Sequence, residues 1–248
     1  MISINEKLQE AYDKQYSDKT EEWRKIGAKG KANNIIEVAG TLQFKKIVEV
    51  GAGDGNILLF LSERNFGSEL TALEISESAI DQMKKKGIRN LKEIVKFDGY
   101  NIPFQDQAFD LAICSHVIEH VEYPRQLIRE IGRISKYQIF EIPIDFSFNV
   151  DKKYKHYLSY GHINIYTPSL FKFLLKTEGF GVIREKYALY RMDVIKFQLN
   201  NKVIPYIKTL LKRLILRSVP IFLRLKPNTY TVLTKISDQK PQISLTHD

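Results

Sequence analysis

Val48-Glu49-Val50-Gly51-Ala52-Gly53-Asp54-Gly55-Asn56 reads as an apolar strand that stops at a G-x-G-x-G turn, with a helix-like segment, Ile57 to Glu63, behind it. Glycine reaches backbone angles closed to other residues and lets a ligand approach the main chain. A strand, a glycine turn and a helix N-terminus together make a site for a nucleotide-like ligand. The spacing is not the dinucleotide G-x-G-x-x-G, because Asn56 stands where its third glycine belongs.

The residues further along fit this start. Glu74 closes the apolar strand Leu70-Thr71-Ala72-Leu73, and an acid at the end of the second strand of an open α/β sheet is placed to bind both ribose hydroxyls. A third strand, Glu93 to Phe97, ends in Asp98-Gly99, and a fourth, Phe109 to Cys114, ends in Ser115-His116. Three successive strands thus carry polar or glycine residues at their carboxyl ends, where ligands bind in this architecture.

With these motifs the chain resembles the class I S-adenosylmethionine-dependent methyltransferases, in the branch of small-molecule, quinone and sugar methyltransferases. The resemblance rests on residues 48–55, on Leu73-Glu74-Ile75-Ser76, and on Phe97-Asp98-Gly99-Tyr100-Asn101-Ile102-Pro103-Phe104 running on to Phe109-Asp110 and Ile118-Glu119-His120-Val121. It is looser from Ile165-Tyr166-Thr167-Pro168 to Glu178-Gly179-Phe180. It implies an α/β, Rossmann-like, seven-stranded, mostly parallel sheet with helices on both faces and an antiparallel last strand, Asn228 to Ile236. It also implies S-adenosyl-L-methionine as cofactor. Gly51, Gly53 and Gly55 would shape the turn around its methionine and ribose portions, with Glu49 organising that site. Glu74 would bind the ribose, Ile75 would lie against the adenine, Asp98 and Gly99 would meet the adenine edge, and Ser115 and His116 would lie below the cofactor.

The expected activity is methyl transfer to a small-molecule acceptor, with sugar, lipid-linked or quinone-like intermediates favoured. RNA or protein methylation, and a non-catalytic cofactor-binding partner subunit, are the alternatives. If the acceptor is a hydroxyl, His162 is the first candidate base and His120 the second, histidine being suited to proton transfer near neutrality. His120 also admits a structural role, and His156 sits beside the solvated run Asp151-Lys152-Lys153-Tyr154-Lys155. His116-Val117-Ile118-Glu119-His120 fits the H-x-x-E-H zinc pattern. That pattern is short and arises often by chance, and it does not require the upstream glycine turn or Glu74, so no metal is expected.

At 248 residues with 44% hydrophobic content the chain suits one α/β domain. The polar start, Met1 to Glu10, is not followed by an apolar signal region, and no apolar run is long enough to span a bilayer. Cys114 is the only cysteine and falls in a buried strand, which fits a reducing compartment and a cytoplasmic protein. Between Val194 and Ser237 there is no Asp or Glu, and the nine Lys and Arg residues there account for the whole net charge of +9.

The organisation expected is an N-terminal helical segment over the cofactor site (1–40), a methyltransferase domain (41–237) and a polar tail (238–248). Thr20 caps the helix of the first segment, and Gly27 and Gly30 break it into two pieces. Residues 145–166, rich in aromatics and without a clean period, form an irregular substrate loop. Thr167 caps a helix that ends near Gly179. Residues 203–218 form a basic amphipathic helix with Val203, Ile207, Leu210, Leu211 and Leu214 on one face and Lys202, Lys208, Lys212, Arg213 and Arg217 on the remainder. That helix either packs on the sheet with its cations in water or attaches peripherally to an anionic membrane surface. Nucleic acid is not an expected partner, since no RNA-binding module is recognisable.

Overall fold

A computed structural model describes residues 21–146, 150–199, 202–218, 224 and 227–237. Thr20, the rest of 1–20 and the expected tail 238–248 lie outside the described residues. Helix α1 (Glu21–Ala39) leads into β1 (Lys46–Val50), α2 (Asn56–Glu63), β2 (Glu69–Glu74), α3 (Glu77–Lys85) and β3 (Leu91–Lys96). Then come β4 (Phe109–Ser115), a 3-10 turn (Ile118–His120), α4 (Pro124–Ile134) and β5 (Ser135–Pro143). The chain continues through α5 (Val150–Ser159), α6 (Pro168–Thr177), β6 (Phe180–Ala188), α7 (Met192–Gln198), α8 (Val203–Ser218) and β7 (Thr229–Ile236).

The seven strands form one sheet in the order β3-β2-β1-β4-β5-β7-β6. Strands β1 to β5 pair in parallel, and β7 enters antiparallel between β5 and β6, with Phe140 opposite Val232 and Tyr187 opposite Tyr230. The order reverses at β1/β4, so a crevice opens above the carboxyl ends of those two strands. The central strands are apolar on both faces because both are covered. Val48 and Val50 face one core with Phe140 and Phe171, while Ile47 faces the other with Ile35, Leu61 and Ile139.

Local chemistry sets the helix ends. Ser76 caps α3 by accepting from the Ala79 N–H at 3.3 Å, and Thr167 caps α6 by accepting from the Leu170 N–H at 3.1 Å with Pro168 at the first position. In α4, Leu127, Ile128, Ile131 and Ile134 are buried, the spacing of one helical face.

Two expectations are corrected here. Helix α1 runs unbroken through Gly27 and Gly30. Glycine costs a helix only about 1 kcal/mol relative to alanine, and Ala28, Ala32, Ile35, Val38 and Ala39 are buried along its length. Gly30 also admits the Arg191 side chain, since a Cβ there would lie 3.3 Å from Arg191 Cδ. The stretch 145–166 is not irregular throughout, because α5 occupies Val150–Ser159. Its aromatic residues masked the helical period.

Candidate active site

Strand β1 is buried at Ile47 to Val50 and therefore rigid, and it delivers the glycine turn to the crevice. Gly51, Gly53 and Gly55 all have positive φ, at 73°, 56° and 75°. A Cβ on Gly51 would lie 2.5 Å from Val117 Cγ2, so the turn closes only on a residue without one. The N–H groups of Gly51 and Ala52 donate to Leu73 O at 2.8 and 3.0 Å, and that of Gly53 donates to Glu74 Oε2 at 2.6 Å. Glu74 Oε1 accepts from Ile75 N and Ser76 N at 2.8 and 2.9 Å. The acid at the end of β2 is thus fixed against the turn by main-chain donors.

A cavity of about 1040 Å³ lies over this turn, lined by Gly51, Gly53, Glu74, Ile75, Gly99 and Ser115 among others. Small-molecule sites run to about 1,000 Å³, so there is room for a cofactor and a second molecule. Glu49, His116, His120 and His162 also line it. Gly55 stands outside the wall at the start of α2, and Asp98 is likewise not on the wall. The Asp98 carboxylate accepts from the Tyr100 and Asn101 N–H groups at 2.9 and 2.7 Å and from the Asn101 amide, so it braces its own turn and leaves Phe97, Gly99 and Tyr100 facing the cavity. These bonds, against the opposing effect of burial, hold its pKa below the usual carboxylate value.

Helix α1 roofs the cavity through Trp23, Arg24, Ala28, Lys31 and Asn34. Sequence reasoning missed its anchor, Asp54 in the glycine turn. That buried carboxylate meets Arg24 Nε at 2.9 Å, Lys86 Nζ at 3.1 Å and the Asn56 amide at 2.9 Å. Trp23 stacks on Phe197 of α7 at 5.6 Å, which joins the roof to the segment after β6.

The floor at the ends of β1, β4 and β5 is a belt of buried ionisable groups. Glu49, Glu119 and Glu141 are each about 1% exposed. Burial pushes Glu119 and Glu141 up to about 7 and Glu49 well above the carboxylate range, with Lys31 pulling Glu49 and Glu141 back. Burial also lowers Lys31, takes His116 well below its usual value and brings His120 to about 3. Among the described residues, Glu49 Oε2, Ser115 Oγ, His116 Nε2, both Glu119 carboxylate oxygens and Glu141 Oε1 have no hydrogen-bond partner. His116 has a positive φ of 57°, uncommon for a non-glycine residue, and its N–H donates to Glu141 O at 2.8 Å. Lys31 and Glu141 carry no local motif. Only the packing of α1 over the ends of the strands brings them to the same place.

His120 and His162 stand together, with ring centroids 4.8 Å apart. His162 Nδ1 lies 2.5 Å from Asp145 Oδ2, and His120 Nδ1 lies 3.1 Å from Gly161 O. A carbonyl can only accept, so His120 Nδ1 carries the proton and its Nε2 keeps the lone pair. Helix α5 sets this corner, with Tyr157 donating its hydroxyl to Asp145 O at 2.6 Å. Ile163 N and Asn164 N donate to Glu119 O at 3.0 and 2.9 Å, which ties the loop after α5 to the 3-10 turn.

Of the two arrangements open to α8 from the sequence, packing of its apolar face on the sheet is not the one the structure shows. Val203, Ile204, Ile207, Leu210, Leu211 and Leu214 are exposed, whereas Arg213, expected in water, is buried and donates to Tyr190 O. The hydrophobic period shows which residues share a face and says nothing of what covers them.

Residues 48–138 match the family model described as "Methyltransferase domain". The ubiquinone biosynthesis O-methyltransferase of Bordetella parapertussis is 28% identical over 108 residues, 41% of this chain and 43% of that protein. The match therefore spans less than half the length of that curated relative. A SAM-dependent methyltransferase from Thermotoga maritima superposes with a TM-score of 0.62 at 15% identity, covering 92% of this chain and 99% of that one. The [4+2]-cyclase SpnF superposes at 0.60 with 14% identity, over 84% of this chain and 80% of that one, so the fold alone does not select a reaction.

Proposed function

We propose that this chain, whose residues 48–138 match a methyltransferase domain, binds S-adenosyl-L-methionine and transfers its methyl group to a small-molecule acceptor. The observation that carries this reading is the glycine turn locked to Glu74 beneath a roofed cavity of about 1040 Å³. The residues fit the cofactor. The positive-φ glycines leave a cradle that a Cβ at Gly51 would fill, and Glu74 supplies a fixed carboxylate for a ribose diol. Gly51 and Gly53 would take the methionine and ribose portions, Ile75 and Gly99 the adenine, and Ser115 and His116 the floor. When bound, the cofactor supplies a methyl group on a positively charged sulfur, already activated for displacement. The protein's part is alignment and exclusion of water. Helix α1 closes the top through the Arg24–Asp54 pair, and Tyr157, His120 and His162 face the space left for an acceptor.

A roofed cavity supports a small acceptor over RNA or a protein segment, which would need an open groove. Intact glycine and acid positions support catalysis over a cofactor-binding partner role. Purified protein incubated with cell extract and methyl-labelled cofactor, followed by mass spectrometry, tests this reading. A labelled small molecule is the expected product. Label found only in RNA or protein, or in nothing while cofactor still binds, would overturn it.

We infer further that α8 docks on an anionic membrane surface and that the acceptor is lipid-linked or quinone-like. Six apolar side chains of this helix are exposed, Lys202 and Lys208 flank them, and residues 194–237 contain no acid. Such a helix lies in the interface, with each cation near the surface contributing about 1 kcal/mol. Lys196 lies 5.6 Å over the Tyr206 ring, coupling α8 to α7, whose Val194 and Gln198 line the cavity. Among the described residues no helix is long and apolar enough to cross a membrane. A position peripheral to the bilayer is the location that the exposed face of α8 supports. Sedimentation with phosphatidylglycerol-containing vesicles should bring the protein down at low salt. Protein left in solution at every salt concentration would refute the attachment.

A further inference from the structure

We propose that Glu119, His120 and His162 form a binding site for a divalent transition-metal ion at the acceptor end of the cavity. One ligand atom from each of these residues lies within 4.8 Å of the others. Closing to ordinary metal–ligand bonds of about 2.0–2.2 Å needs side-chain shifts of only about an ångström.

Three features point to an ion. Both carboxylate oxygens of Glu119 lack a hydrogen-bond partner although the residue is 1% exposed, and Oε1 faces His116 Nδ1 and His120 Nε2 at 3.5 and 3.8 Å, imidazoles that burial keeps neutral. A buried carboxylate is costly unless paired or coordinated to a metal. The histidines have the support usual for metal ligands. His120 Nδ1 donates to Gly161 O at 3.1 Å, and His162 Nδ1 sits 2.5 Å from Asp145 Oδ2. Engaging Nδ1 with a carbonyl or carboxylate fixes the tautomer and leaves the metal-binding lone pair on Nε2. The ligands also come from separate places, the 3-10 turn after β4 and the loop after α5, and two backbone bonds from Ile163 N and Asn164 N to Glu119 O hold these together. Two imidazoles and one carboxylate suit zinc, manganese or iron better than the all-oxygen preference of magnesium or calcium.

This inference rests on the methyl-transfer reading only for its purpose. An ion with an open position would bind an acceptor hydroxyl and favour loss of its proton to solvent. The sulfur–methyl bond then breaks as the oxygen–methyl bond forms, and sulfur keeps the electron pair. On this account His120 and His162 hold the ion, and neither acts as a lone base. The site differs from the H-x-x-E-H pattern in the sequence, with His162 in the place of His116 as the second imidazole.

The test uses the full chain, stripped with chelator and titrated calorimetrically with Zn²⁺ and Mn²⁺, with no cofactor or acceptor present. One ion per chain is expected. Glu119→Gln should abolish binding or weaken it at least a hundredfold, and Asp145→Asn should weaken it roughly ten- to a hundredfold. His156→Ala, outside the cluster, should bind as the parent does. Circular dichroism melting of each variant identifies any that fail to fold, and Co²⁺ absorption bands give a second readout of nitrogen–oxygen ligation. No stoichiometric ion in the parent, or parent-like affinity in folded Glu119→Gln, would overturn the site. Cofactor binding at Glu74 is measured separately, so its failure would count against the methyl-transfer reading alone.

Discussion

Gly51 gives a sharp test of how the cofactor turn is built. Its φ of 73° costs an L-residue roughly 1–2 kcal/mol. An added Cβ would stand 2.5 Å from Val117 Cγ2, where carbon atoms prefer about 3.5–4.0 Å. Val117 has little rotamer freedom to retreat, being β-branched, and it follows His116, whose N–H is bonded to Glu141 O. Overpacking of this kind costs about 1–3 kcal/mol, so Gly51→Ala should lose roughly 2–5 kcal/mol in all. The two parts separate in a double-mutant cycle. Val117→Ala removes the clashing methyl, so the double variant should recover about 1–3 kcal/mol of coupling and keep the backbone cost. Urea denaturation of the parent, the two single variants and the double variant measures this. A loss below about 0.5 kcal/mol in Gly51→Ala, or no coupling with Val117→Ala, would refute the reasoning.

Other consequences follow from the buried charges and the basic helix. Burial raises Glu141 to about 7, so the folded state prefers the protonated acid. That contribution to stability is full below the unfolded value near 4.5 and is lost as pH rises through 7. Glu141→Gln in metal-free buffer should therefore match the parent near pH 5 and exceed it by up to about 3 kcal/mol at pH 8 in urea melts; equal stability at pH 8 would contradict this. Asp54→Ala removes the carboxylate that faces Arg24 and Lys86, leaving them bonds to the neutral Gln82 and Asn56 amides among others, and should cost about 3 kcal/mol. Fluorescence of Trp23, the chain's only tryptophan, should report the lifted roof, and an unchanged spectrum and melt would count against it. Replacing Lys208, Lys212 and Arg217 with glutamine should leave the melt unchanged and abolish vesicle binding, and the parent's binding should fall steeply with salt. Arg213 is excluded because it holds Tyr190 O.

What the sequence disclosed was local. The strand–glycine turn–helix unit, the acid ending β2 and the alternation of strands and helices are written in neighbouring residues, and the seven-stranded sheet with its antiparallel β7 matches the expectation. Contacts made across the fold stayed hidden. Asp54 meets Arg24 and Lys86 from thirty and more positions away, and Lys31, Glu141 and Asp145 reach the cavity only through the packing of α1 and the sheet order. Asp98, placed at the adenine edge by the resemblance, also accepts from the Tyr100 and Asn101 N–H groups of the following turn, bonds that its strand-end position does not announce. The face of α8 was visible in the sequence, and its exposure was not.

Calorimetric titration with S-adenosylhomocysteine, the demethylated cofactor, tests the central claim most directly. The parent should bind one equivalent. Glu74→Gln should weaken binding tenfold or more, about 1.4 kcal/mol, and Gly53→Arg should abolish it by filling the turn. No binding heat in the parent, or parent-like affinity in both variants, would contradict the account.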